Sequence, residues 1–444
     1  MRRLPILRII VCPMSTSRSA WVALATVILV LTACSGSDDP GTAGQNDASS
    51  TTAPPAGEPT ATSVPEPAAT GPRPATSSPE TTAPSPASTE PPPETTPPVR
   101  DTEALAAIAP VVEEFVAERG LNGAGLIVVD EHDGVVYHDH WGEFSEDRVS
   151  LVASSSKMIV AGVLMRLHDD GLLDIDAPVA DVVEWGAGNP DITPAQLLSN
   201  SSGLIGLLQN PGYGPYICQF MADGSLQDCA ASIFTTPDDD ADIIAPDTDF
   251  NYGGAQWQVA GAIAEVASGK PWEQLIEEIY VTPCELDALG FNNHFSQIAT
   301  EGFRYPRTFD GDPSVLADTD NPNIEGGAYV TTGDYGKLLL MHLRGGVCGD
   351  EQVLSAESLA RMHTDRIGDV YGGDAYRPGS GYGMGWWVGR QTGYISDGGA
   401  YGSVPWLDLD DGYGAFLVIE ADSTTGNELA AQLQPIIDEA LSTG

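Results

Sequence analysis

Apolar residues recur along this chain in two periods. In residues 102–119 they fall at helical spacing, at Leu105, Ile108, Val112, Phe115 and Val116, with Pro110 as a kink or restart. Two short apolar runs at 124–129 and 135–138 are split by Glu131-His132-Asp133-Gly134, which predicts a hairpin. Residues 154–168 carry Ile159, Val163, Leu164 and Leu167 on one helical face. Segments 255–267, 272–279 and 334–343 also read as helices. The pattern then returns to strands at 383–388, 394–396, 404–409 and 413–419, and ends in an amphipathic helix over 428–441. Strands at both ends, helices in the middle and a helix at each terminus predict an α+β fold. One antiparallel sheet is split in sequence, with a mostly helical region inserted between its halves.

The first hundred residues break this pattern. A basic stretch precedes a short apolar run at 21–31, too short for a comfortable membrane span, and reads as a signal peptide over residues 1–33. Met14 is an alternative start that leaves the signal intact. Leu31-Thr32-Ala33-Cys34 resembles the bacterial lipobox, in which the cysteine becomes the lipid-modified first residue. Residues 34–100 are rich in Pro, Thr, Ser and Ala with no aromatic residue, so they cannot bury enough apolar area to offset chain entropy. They read as a disordered tether spanning about 45 Å as a flexible chain. The expectation is a lipoprotein held through Cys34 on the outer side of a bacterial cytoplasmic membrane, with residues 101–444 as the working domain.

Charge narrows the partners. The chain has 444 residues and a formal charge of −44, and from Asp101 onward 13 bases face 55 acids. Nucleic acid is excluded as a partner, because it is bound through basic patches. Such a surface repels itself and is eased by salt, which suits a saline setting. Four cysteines remain in the exported domain, Cys218, Cys229, Cys284 and Cys348. Disulfides are expected, favoured as Cys218–Cys229 and Cys284–Cys348; zinc is the rival, although no CxxC spacing occurs.

Lysine is scarce: only Lys157, Lys270 and Lys337. One of them sits in Ser154-Ser155-Ser156-Lys157 at the start of a predicted helix, where residues three apart share a face. A desolvated lysine beside a serine can activate it as a nucleophile. This segment, followed by Gly171-Leu172-Leu173-Asp174-Ile175-Asp176-Ala177-Pro178, resembles the SxxK serine hydrolases of the class C β-lactamase and D-alanyl-D-alanine carboxypeptidase group, which also contains esterases. Leu197-Leu198-Ser199-Asn200-Ser201-Ser202-Gly203-Leu204, Phe250-Asn251-Tyr252, Gly326-Gly327-Ala328 with Asp334, and Gly398-Gly399-Ala400 continue the resemblance in order. It implies a β-lactamase/transpeptidase-like fold with Ser154 as nucleophile. Lys157 and Tyr252 would share base and acid work, and the N–H groups of Ser154 and Ala400 would form an oxyanion hole.

Two positions depart from the group's pattern. Its Tyr-x-Asn reads Tyr252-Gly253-Gly254, which removes a substrate-binding amide. Its Lys/His-x-Gly strand motif reads Asp397-Gly398-Gly399, which puts an acid where a cation neutralises a substrate carboxylate. If Asp397 lines the pocket it repels penicillins and D-Ala-D-Ala peptides and holds Lys157 as an ammonium; the other reading turns it outward or onto backbone. Two weaker candidates are a metal pair at His138 and His140 and a Ca²⁺ loop at Asp238, Asp239, Asp240, Asp242, Asp247 and Asp249; a solvated surface accounts for both. No GxSxG or GxxxxGK[ST] occurs. The expected protein is an exported serine hydrolase needing no cofactor, cleaving a small-molecule or peptidoglycan-like ester or amide and closer to an esterase than to a standard β-lactamase. The alternatives are a catalytically inactive binding protein of the envelope or a D-Ala-D-Ala carboxypeptidase.

Overall fold

Strands from the two ends of the domain pair with one another. The computed structural model describes residues 103–206, 213–236, 242–298 and 311–441. The signal segment, Cys34, the tether and Asp238–Asp240 lie outside these. The strands in chain order are β1 (Gly123–Asp130), β2 (Gly134–Gly142), β3 (Val149–Leu151), β4 (Leu289–Phe291), β5 (Ala328–Thr331), β6 (Val347–Cys348), β7 (Glu351–Gln352), β8 (Ser380–Tyr382), β9 (Trp387–Gly389), β10 (Tyr394–Ser396), β11 (Ser403–Asp408) and β12 (Tyr413–Val418). A seven-stranded sheet runs β2-β1-β12-β11-β10-β9-β8, with antiparallel pairing throughout. The split sheet expected from sequence is therefore closed by the β1–β12 pair, in which Ile127 faces Phe416.

Alternation along β1 serves two cores. Leu126 and Val128 pack with helices α1 (Ile108–Arg119) and, at the other terminus, Leu433 and Ile437 of the 19-residue helix Ser423–Leu441. Ile127 and Val129 face the larger core with α2 (Lys157–Asp169), α3 (Leu226–Phe234), α4 (Gly254–Ser268) and α5 (Thr332–Leu343). The terminal helix is α6. With both faces covered, every residue of β1 is buried. Pro110 falls in the first turn of α1, where its missing N–H costs nothing, so it marks a restart and not a kink.

Three details differ from the sequence reading. Residues 383–388 are not one strand: the chain turns between β8 and β9, with Gly385 at φ +80. A β-carbon there would lie 2.8 Å from the Lys157 carbonyl, so this turn needs glycine to sit on the start of α2. The 272–279 helix gives way to a π turn, Glu277–Val281. A second small sheet, β3-β5-β4, is built from strands too short to show a period. The disulfides are Cys218–Cys229 and Cys284–Cys348, with Cα–Cα distances of 5.5 and 4.9 Å.

Candidate active site

Ser154 sits where β3 gives way to helix. Ala153 immediately before it adopts φ 47, a left-handed conformation that is costly for a residue with a β-carbon and is typical of a side chain held in place for function. A 3₁₀ turn, Ala153–Ser156, then runs into α2. The turn is pinned on every side. Ser156 Oγ donates to the Ala153 carbonyl at 2.6 Å and accepts from Ala328 N–H at 3.1 Å, and Tyr335 Oη donates to the Ser155 carbonyl at 2.8 Å.

Lys157 opens α2 fully buried. Its Nζ donates to Ser154 Oγ at 3.2 Å, to the Glu325 carbonyl at 2.9 Å and to Glu325 Oε2 at 3.5 Å. Three acceptors match the three hydrogens of an ammonium. The Tyr252 ring lies 4.8 Å from Nζ, and the Trp257 ring 5.8 Å. Burial alone would push the Lys157 ammonium down. The facing Tyr252 oxygen and the Glu325 and Asp397 carboxylates outweigh it and hold the group above the ordinary lysine range. Burial likewise raises the Tyr252 phenol, against the pull of Lys157. The other two lysines are surface residues paired to Glu278 and Asp334.

Tyr252 is positioned by the Leu197–Leu204 run. Asn200 Oδ1 accepts from Gly253 N–H at 3.4 Å, Gln256 Nε2 at 3.0 Å and Trp257 Nε1 at 3.1 Å, and the Asn200 carbonyl accepts from Asn251 N–H at 2.8 Å. On its other side Tyr252 joins an aromatic wall with Phe250, Tyr376, Tyr382 and Trp387, and its N–H donates to Tyr376 Oη at 2.9 Å.

Asp397 does not line the cleft. It is fully buried, and Oδ2 accepts from Met158 N–H at 3.1 Å in the first turn of α2. Of the two readings of this residue, the one that sets it on backbone is the one observed, and the reason is the helix N-terminus, which attracts an acceptor. Burial pushes its carboxyl well above the usual carboxylate range, against the pull of Lys157 and of the helix N–H groups. Its backbone carbonyl accepts from Ser155 Oγ at 2.6 Å. Gly399 follows: a β-carbon there would lie 2.1 Å from the Val152 carbonyl, so only glycine lets the Gly398-Gly399-Ala400 segment close on the turn that carries Ser154.

Gly254, the departure in Tyr-x-Asn, is the first residue of α4. A β-carbon there would lie 2.1 Å from Gln219 Oε1 and 2.2 Å from the Glu325 carboxyl carbon. Two distant residues therefore fill the place of the lost amide. Neither was singled out in the sequence. Glu325 had a signal, since it directly precedes Gly326-Gly327-Ala328; Gln219 had none. His138 and His140 lie side by side on β2, their rings 4.7 Å apart, away from this cluster. Asp247 is engaged by Arg366, Gln196 and Ser201.

A buried lysine hydrogen-bonded to a serine at a strand-to-helix turn, with a tyrosine facing both, is the equipment for nucleophilic acyl transfer. Comparison with known proteins supports a hydrolase. The Beta-lactamase family model matches residues 108–436. The chain is 28% identical over 353 residues to Penicillin-binding protein 4 of Amycolatopsis lactamdurans, covering 73% of this chain and 86% of that protein. It is 27% identical over 219 residues to Esterase EstB of Burkholderia gladioli, covering 43% of this chain and 53% of that protein. The octameric penicillin-binding protein homologue from Pyrococcus abyssi shares the fold at 20% identity, with a TM-score of 0.57 over 76% of this chain and 79% of that one. The chain belongs to the Beta-lactamase family, as a hydrolase of the β-lactamase fold related to penicillin-binding proteins and esterases.

Proposed function

We propose that the protein is an exported, lipid-anchored serine hydrolase that cleaves an ester or amide through an acyl-enzyme on Ser154. The observation that carries this is the buried Lys157 Nζ, 3.2 Å from Ser154 Oγ. Ser154 Oγ attacks the carbonyl carbon while its proton passes to the Lys157–Tyr252 pair. The N–H groups of Ser154 and Ala400 stabilise the oxyanion. The same pair returns the proton to the leaving group as its bond to the acyl carbon breaks, and water then attacks the acyl-enzyme with the roles repeated. Cys34 supplies the membrane attachment, and residues 34–100 the reach away from it.

Ester-like substrates are favoured over penicillins and D-Ala-D-Ala peptides. The strand position that would carry a cation is Asp397, and the lysine of the site is already flanked by Glu325. Among the described residues, a substrate carboxylate finds no cation free of an acid partner here and meets the Glu325 carboxylate. The test is labelling of the wild type and Ser154→Ala with a fluorophosphonate and with a fluorescent penicillin. Labelling of the wild type alone, by the phosphonate and not the penicillin, is the expected result. Absence of Ser154-dependent labelling by either probe sinks the enzyme reading and leaves a binding protein of the envelope.

A further inference from the structure

Gln219 is 5% exposed and Glu325 6%, yet they do not complete one another. Gln219 Nε2 donates to the Tyr216 carbonyl at 2.9 Å, and Oε1 has no hydrogen-bond partner among the described residues. Lys157 takes Glu325 Oε2, while Oε1 is turned toward Gly254, within 2.2 Å of where a β-carbon would stand. Two acceptors, one of them anionic, thus converge on one glycine, and Gln219 and Gly254 both line a small pocket that opens to solvent. Tyr213, Tyr216, Gln219, Phe220, Gly253 and Gly254 line it. A buried acceptor without a donor is costly, and Gln219 Oε1 beside a carboxylate oxygen calls for a ligand that brings donors.

We propose that Gln219 Oε1 and the Glu325 carboxylate form a seat for a primary ammonium, so that the substrate is an ester or amide carrying that group close to its scissile carbonyl. The proposal rests on the hydrolase reading above and names its substrate class. An ammonium offers three donors and a charge opposite to Glu325. Tyr213 and Tyr216, which line the same pocket as Gln219 with their rings 4.9 Å apart, add aromatic faces that attract a cation. Lys157 is a second cation nearby, and this turns the cost of crowding into a switch. A bound ammonium takes over part of the Glu325 carboxylate and repels Lys157, so the lysine gives up its proton more readily when the right substrate is present.

The test uses aryl esters of 3-aminopropanoate and of butanoate, which match in size and differ in the ammonium. The kcat/KM of the full chain for each is measured at pH 7 and divided by the ester's own hydroxide hydrolysis rate. The ammonium ester is expected to be favoured by at least about tenfold, with that ratio falling toward one in Glu325→Gln and by a smaller factor in Gln219→Met. Equal treatment of the two esters by the wild type, or a ratio that survives in Glu325→Gln, overturns the ammonium seat alone. No Ser154-dependent cleavage of either ester overturns the hydrolase reading and the seat with it. The wild-type ratio decides the matter even if a variant does not fold.

Discussion

Replacing Glu325 by glutamine removes one charge from the site and little else. The backbone carbonyl that accepts from Lys157 stays, and an amide oxygen can take the place of Oε2. With Nζ and Oε2 3.5 Å apart and an effective dielectric constant of about 20, the attraction that holds the Lys157 ammonium is worth about 5 kcal/mol. That is a ceiling, because water and Asp397 take up part of the change. The sign follows from the role of the base. Lys157 must be neutral to accept the serine proton, and its folded value is held above the ordinary lysine range, so in the wild type the rate climbs with pH towards that value. Glu325→Gln moves this rising limb to lower pH and raises kcat/KM for an uncharged ester at pH 7, by at most about a thousandfold. Stability linkage runs with the same sign. The raised lysine contributes stability that is fully present below its unfolded value and lost as pH rises through its folded value. The assay is kcat/KM for an uncharged aryl ester from pH 6 to 10, against Ser154→Ala as the blank. A limb that stays in place, or moves to higher pH, refutes the electrostatic reasoning. An even loss at every pH makes the Glu325 carboxylate itself the obligatory proton acceptor.

Asp397→His, which would be a gain of function if Asp397 lined the cleft, is expected to lower Tm and to leave carboxylate-bearing substrates uncleaved, since the residue is fully buried and holds Met158 N–H; a rise in their kcat/KM would place the side chain in the cleft. Breaking Cys284–Cys348, which spans 64 residues, should cost about 4 kcal/mol, and breaking Cys218–Cys229, which spans 11, about 3 kcal/mol. Urea unfolding of the two Cys→Ala double variants checks this, and the reverse order would show that strain or local packing outweighs loop closure.

Much of the site was legible in order along the chain. Ser154 and Lys157 are three residues apart on a helix start, so their meeting is a local event that spacing alone specifies. Tyr252 is nearly 100 residues further on, and only the resemblance to the SxxK hydrolases connected it; Asn200 does so physically, by gripping the Gly253 to Trp257 backbone and side chains. The orientation of Asp397 was open because a carboxylate on a strand end has the same sequence signature whether it faces solvent or a helix terminus. Gln219 carries no signal in the sequence, and Glu325 only its place before Gly326-Gly327-Ala328, for a different reason. They fill the space over Gly254, and nothing in the identity of a glycine says which distant side chains use the room it leaves.

Residue order alone specifies the periods of the helices and strands, the split sheet, the local Ser154–Lys157 pair and the acid excess of the domain. These depend on residue types at short, fixed separations. Tertiary structure decided what surrounds that pair. It turned Asp397 onto the N-terminus of α2, set Glu325 against Lys157 and left Gln219 Oε1 without a donor among the described residues. Those outcomes are settled by which segments pack together in a water-excluded interior, where a shift of a few ångströms changes the charge a lysine carries.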